Sequence, residues 1–108
     1  MKGEQPFILL RARVRDDRET FSAWFRSQHL REVAKIPGMA SVQWGQTREG
    51  TMLGVYCFED PRSMQGAFGS AEAAYARGMW ASWSDKLEEF SVEMHFALTP
   101  PTMTLSFN

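Results

Sequence analysis

Cysteine occurs once and histidine twice in this 108-residue chain, and no apolar run exceeds a few residues. The lone Cys57 excludes an intrachain disulfide and a multi-thiolate zinc site. His29, His95 and Cys57 fall on different predicted elements, and neither His-x-x-x-His nor Cys-x-x-Cys occurs, so metal ligation has no support. No stretch is long and apolar enough to span a bilayer. Neither charge sign dominates: 12 Lys and Arg oppose 13 Asp and Glu, for a net charge of −1. That balance offers nothing to nucleic acid or an anionic membrane. A Gly-rich phosphate loop and a nucleophile elbow are also missing, and Gly66-Ala67-Phe68-Gly69-Ser70 reads as a helix break. Residues 1–6 lack the apolar core of a secretory signal, so a reducing cytoplasm is the expected location.

What the chain has is aromatic bulk: four Trp, eight Phe and two Tyr, with seven Met. At this density large side chains fill a core, wall a pocket or cover an interface. Their spacing defines the elements. From Phe7 to Val14, residues Ile8, Leu10, Ala12 and Val14 share one strand face, and Phe7, Leu9, Arg11 and Arg13 the other. After Asp16-Asp17 the period turns helical. Phe21, Trp24, Phe25, His29, Val33 and Ile36 form one stripe over residues 18–36, ended by Pro37-Gly38. Two strands follow, residues 40–47 and 51–58, joined by the polar turn Arg48-Glu49-Gly50. Asp60-Pro61 caps a second helical region over residues 61–90. It is broken at Gly69-Ser70 and Gly78, and its last piece carries Trp80, Trp83, Leu87 and Phe90 at helical spacing. Residues 91–98 alternate as a fourth strand, closed by Pro100-Pro101. The tail from 102 alternates again through Met103, Leu105 and Phe107, which suits pairing with an exposed strand edge of this or a neighbouring subunit.

The order β-α-β-β-α-β predicts an α+β fold, an antiparallel ferredoxin-like sheet with both helices on one face. The other face mixes Phe7, Leu9, Leu53, Val55 and Cys57 with Arg11, Arg13, Glu93 and His95. An apolar patch with embedded charge fits a partner surface, and a second copy docked face to face would cover it. Arg11 and Arg13 are expected to meet Glu93 and His95 across strands one and four.

Phe21-x-x-Trp24-Phe25-x-x-x-His29, followed by Ile36-Pro37-Gly38, then Tyr56-x-Phe58 and a Trp-bearing second helix, resembles the EthD-type proteins of the dimeric α+β barrel superfamily. The resemblance covers roughly residues 7–98 as one domain, with 99–108 as a C-terminal arm. It implies a homodimer joined through the sheet face and a pocket in each subunit between sheet and helices; members include aromatic-polyketide cyclases and monooxygenases, lactone isomerases and haem-degrading enzymes, and for this chain no cofactor is expected. Haem-degrading members of the superfamily use a histidine on the second helix, and residues 61–90 contain none.

His29 is the most informative side chain, a polar group set into an apolar stripe. A neutral imidazole is a natural general acid or base near neutral pH. The structural alternative is a core histidine satisfied by backbone. Tyr56, predicted to share the helix-side face with Gly54 and Phe58, either relays with His29 and orients a ligand carbonyl, or is simply a buried tyrosine. Gly54 either makes room for a ligand or marks a bulge. Phe25, Val33, Trp80 and Trp83 are the candidate ligand walls, or core. Cys57, with no cationic neighbour in sequence, reads as a small buried apolar residue. The functional expectation is acid/base chemistry of isomerase, cyclase or monooxygenase type on a small hydrophobic carbonyl or aromatic compound, with His29 as proton shuttle. The alternatives are a non-catalytic ligand binder and a structural homodimer.

Overall fold

Strand β1 (Phe7–Val14) lies inside the sheet, and its alternation explains why. Leu10, Ala12 and Val14 are buried on one face, while Phe7, Leu9, Arg11 and Arg13 lie on the other. The computed structural model describes residues 5–96, and within them four antiparallel strands run in the order β2-β3-β1-β4. β2 spans Met39–Gln46, β3 Met52–Phe58 and β4 Leu87–His95. β1 pairs with β3 on one side (Ile8 with Tyr56, Leu10 with Gly54) and with β4 on the other (Leu10 with Val92, Ala12 with Phe90). This is the ferredoxin-like α+β arrangement. The expected end of the fourth strand, residues 97–98, and the arm 99–108 lie outside the described residues.

The first helix is a composite. Helix α1 (Arg18–Trp24) passes into a π-helical turn, Phe25–His29, and then into α2 (Leu30–Val33). In that turn the Leu30 N–H donates to the Phe25 carbonyl, five residues back. Widening by one residue brings His29 and Leu30 inward together, and both are buried. A regular helix would set these neighbours about 100° apart. The helix ends at Val33, three residues before the expected Ile36, and Gly38 turns the chain at φ +85°.

Asp60 caps α3 (Pro61–Ala67) by accepting from the Ser63 N–H, and Ser70 caps α4 (Ala71–Gly78) by accepting from the Ala73 N–H. A 3₁₀ turn, Met79–Trp83, completes the second helical region. That region is shorter than its sequence spacing suggests, because Leu87 and Phe90 belong to β4. Register slips between Arg13 and Val14, so that Arg13 opposes Glu89 while Val14 opposes Leu87. This bulge changes the strand's phase and returns Leu87 to the core side, alongside Phe90 and Val92. The apolar spacing 83, 87, 90 therefore imitates a helix.

The same bulge places Glu88 and Glu89 together on the open face of the sheet. Glu89 Oε1 takes hydrogen bonds from Arg13 Nη1 at 3.0 Å and from the Thr51 hydroxyl at 2.8 Å. Its Oε2 accepts from Arg11 Nε at 3.3 Å. Glu88 Oε2 accepts from Arg13 Nε at 3.0 Å. The Thr51 hydroxyl and the two arginines hold the Glu89 carboxyl below its ordinary pKa. The arginines' partners are thus Glu88 and Glu89, not the expected Glu93 and His95. His95 stacks on Phe7, with ring centroids 4.5 Å apart, and bonds Glu93 of its own strand at 3.1 Å.

Helices and sheet enclose one principal core, in which Phe21, Phe25, Val14, Val33 and Met52 are fully buried. The helix layer stops short of the edge strand β4. Phe90, Val92, Met94 and Phe96 consequently stay about half exposed on the helix side. No helix among the described residues is long and apolar enough to cross a membrane.

Candidate functional site

A cavity of about 370 Å³ lies between the helix-side face of the sheet and the helices. Sequence explains the space. Helices α3 and α4 turn Ala67, Ala73 and Ala76 towards the sheet, and side chains this small leave the gap unfilled. Ile8, Leu10, Phe58, Phe90 and Val92 line the sheet side, and Val33, Ile36 and Trp80 the helix side. The polar groups in this wall are His29, Tyr56 and Arg77.

His29 Nε2 and the Tyr56 hydroxyl are 3.0 Å apart, and the bond is buried. Two local devices create it. The π-helical turn aims the imidazole at the sheet, and Gly54 lets the phenol lie back along β3. A Cβ at Gly54 would sit 2.6 Å from Tyr56 Cε1, inside van der Waals contact. Gly54 therefore makes room for the neighbouring phenol rather than for a ligand or a bulge. Around His29 the aromatic rings close in: Trp24 stacks at 5.6 Å, and Trp80 meets it edge-on at 4.9 Å.

This enclosure strips water from the imidazole and pushes its pKa from 6.5 down to about 4. The same loss of water raises the Tyr56 hydroxyl well above its usual value. At neutral pH both groups are uncharged, and the phenol keeps its proton. Among the described residues His29 Nδ1 is buried with no hydrogen-bond partner. In one tautomer Nε2 accepts from the phenol and Nδ1–H is the orphan donor. In the other, Nε2–H donates to the phenol oxygen, and the Tyr56 O–H is free for an acceptor in the cavity. Either way the pair retains unused hydrogen-bonding capacity in an apolar surround, where it is costly.

The structure brings together His29, Tyr56, Val33 and Trp80 at one cavity. It does not bring Phe25 or Trp83 there. Phe25 is fully buried one turn before His29, packed against Phe21 and Trp80. Trp83 packs edge-on to Phe21 at 5.0 Å and borders an outer groove with Trp24 and Lys86. One 3₁₀ turn past Trp80, it points to the far end of the core. Phe90, Val92, Phe68 and Arg77 were missed as wall residues. Phe90 was hidden by the β4 bulge, Val92 lies on the predicted fourth strand, and α4's run of alanines was a readable sign of vacant space. Cys57 is buried. Among the described residues no three His, Cys, Asp or Glu side chains cluster as metal ligands.

An antiparallel sheet backed by helices, with an apolar cavity between the layers, places the chain in the class of small α+β proteins with a ferredoxin-like sheet. No family model matches the chain, and neither does any curated protein. Solved structures share its fold. An EthD family protein from Bacillus halodurans superposes with a TM-score of 0.65 at 16% identity, over 83% of this chain and 96% of that one. An antibiotic biosynthesis monooxygenase-like protein from Nitrosomonas europaea gives 0.66 at 15% identity, over 93% and 96%. SnoaB, a cofactor-independent oxygenase from Streptomyces nogalater, gives 0.65 at 12% identity, over 94% and 96%. At these identities the likeness is one of fold.

Two outcomes follow from this geometry. The unfolded chain takes up a proton on His29 near pH 6.5, whereas the folded chain resists until about 4. Stability therefore falls as pH drops through that window, by up to about 3 kcal/mol. Glu89, with its lowered pKa, contributes in the same direction only as pH falls below its ordinary 4.5. Urea midpoints between pH 7 and 5 should thus decline in the parent and stay nearly flat in His29→Gln. Gly54→Ala should displace the phenol and cost about 1–3 kcal/mol, read as a lowered urea midpoint together with altered imidazole NMR shifts.

Proposed function

We propose that the chain is a cofactor-independent enzyme performing acid/base chemistry, of isomerase, cyclase or monooxygenase type, on a small hydrophobic carbonyl or aromatic compound. The observation that carries this reading is the buried 3.0 Å hydrogen bond between His29 and Tyr56 at the wall of an otherwise apolar cavity. A volume of about 370 Å³ suits a small flat guest. The neighbours' names, an oxygenase among them, agree with small-molecule chemistry on this fold.

The pair works as a relay. With Nε2 as acceptor, the Tyr56 oxygen takes an acidic proton from the substrate while its own proton passes to His29. The imidazolium then returns a proton, through Tyr56, to a second atom of the substrate. Proton count is conserved and no phenolate accumulates, in keeping with the raised phenol pKa. An imidazole with a pKa near 4 is a weak base but is almost wholly unprotonated at neutral pH. Its natural substrates are activated: phenols, 1,3-dicarbonyls or lactones whose anion is delocalised. Once Nε2 carries the proton, the Tyr56 O–H faces the substrate and steadies negative charge on its carbonyl oxygen. The mostly hydrocarbon lining favours one further reading, a binder that holds the same guest without turnover.

His29→Gln and Tyr56→Phe separate the two. Once a substrate is identified, each should lower kcat about 10²–10⁴-fold with little change in KM. In the parent, kcat/KM should fall away near pH 4 rather than near 6.5. Turnover that survives both substitutions refutes the relay.

The open sheet face supports a homodimer. Phe7, Leu9, Leu53 and Val55 are only partly buried there, beside the Arg11 and Arg13 ion pairs. Sedimentation should give a dimer, and Leu9→Glu with Val55→Glu should give a folded monomer.

A further inference from the structure

We infer that the cavity selects guests carrying an anionic group, a carboxylate above all, and that Arg77 at its mouth reads that group. This rests on the proposed function and names the substrate class of the same site. Of the described residues that line the cavity, Arg77 carries the one permanent charge. It projects from the last turn of α4 and is exposed. Among the described residues its guanidinium has no ion-pair partner, unlike Arg11 and Arg13 with their glutamates.

The other exposed residues of the cavity wall are apolar. Phe68, Phe90 and Val92 line the cavity yet stay 38–48% exposed, which marks them as its solvent-facing rim. A guest resting on these side chains meets His29 and Tyr56 within and one cation at the rim. A guanidinium on a half-desolvated apolar border holds a carboxylate by paired N–H donors more firmly than one in open water. The guest is therefore amphipathic. Its flat apolar body, with a carbonyl towards Tyr56, fills the chamber, and its carboxylate stays at the entrance, where hydration is lost only in part.

Calorimetric titration with 6-acetyl-2-naphthoate and with its methyl ester tests this, because the two differ in charge but hardly in shape. The acid should bind the parent about tenfold more tightly than the ester, and 0.5 M NaCl should shrink that preference. Arg77→Gln should bring the ratio of acid to ester affinity, read within each protein, close to one, and Arg77→Lys should restore part of it. Ester and acid binding equally in the parent overturns the role of Arg77 but leaves the cavity reading intact. A preference that survives Arg77→Gln does the same. Failure of both probes to bind overturns the cavity reading and this one together.

Discussion

One buried hydrogen bond organises this molecule. His29 sits on the first helix and Tyr56 on β3, 27 residues apart in sequence, and their side-chain atoms meet at 3.0 Å. Each would be expensive alone in an apolar interior, since neither has water to replace a lost partner. Joining them relieves most of that cost and fixes how the helix lies across the sheet. The surrounding rings raise the stakes. Trp24 and Trp80 exclude water from the imidazole, so the proton that bulk water would place there at mild acidity is refused. Local backbone choices serve this bond: a widened turn beneath His29 and a glycine beneath the phenol.

Much of the fold was legible from side-chain spacing. Period-two alternation marked β1, Asp60-Pro61 and Ser70 marked two helix starts, and a polar turn joined β2 to β3. These signals are local, and local physics decides them. The beginning of β4 was not legible. A bulge at Glu88 shifts the strand's phase, so Leu87 and Phe90 both serve the core side at a spacing that fits a helix equally well. The same ambiguity conceals the ion pairs, because helical spacing claims Glu88 and Glu89 and leaves Glu93 and His95 as the carboxylate and imidazole facing the arginines. Arg11 and Arg13 find the nearer carboxylates, held on their own face by the bulge.

The site divides in the same way. His29 stood out in sequence because a polar side chain interrupted an apolar stripe, which is a one-dimensional signal. Which aromatics border a void is a three-dimensional question. Phe25 and Trp83 share the spacing of Val33 and Trp80, yet they pack at the end of the core where Phe21 fills the space. The cavity opens instead where α3 and α4 turn Ala67, Ala73 and Ala76 towards the sheet. Vacancy depends on what the facing element lacks, and no single element's periodicity records that.

The π-helical turn at Phe25–His29 carries an evolutionary consequence. Such a turn closes its hydrogen bond five residues back and so holds one residue more than a regular turn. Removing one codon within this stretch would restore regular winding and swing either the imidazole or Leu30 towards solvent. A lineage under selection for robustness alone has that short route open to it. Retention of the extra residue in a descendant would signal that the inward-facing imidazole still matters to the organism.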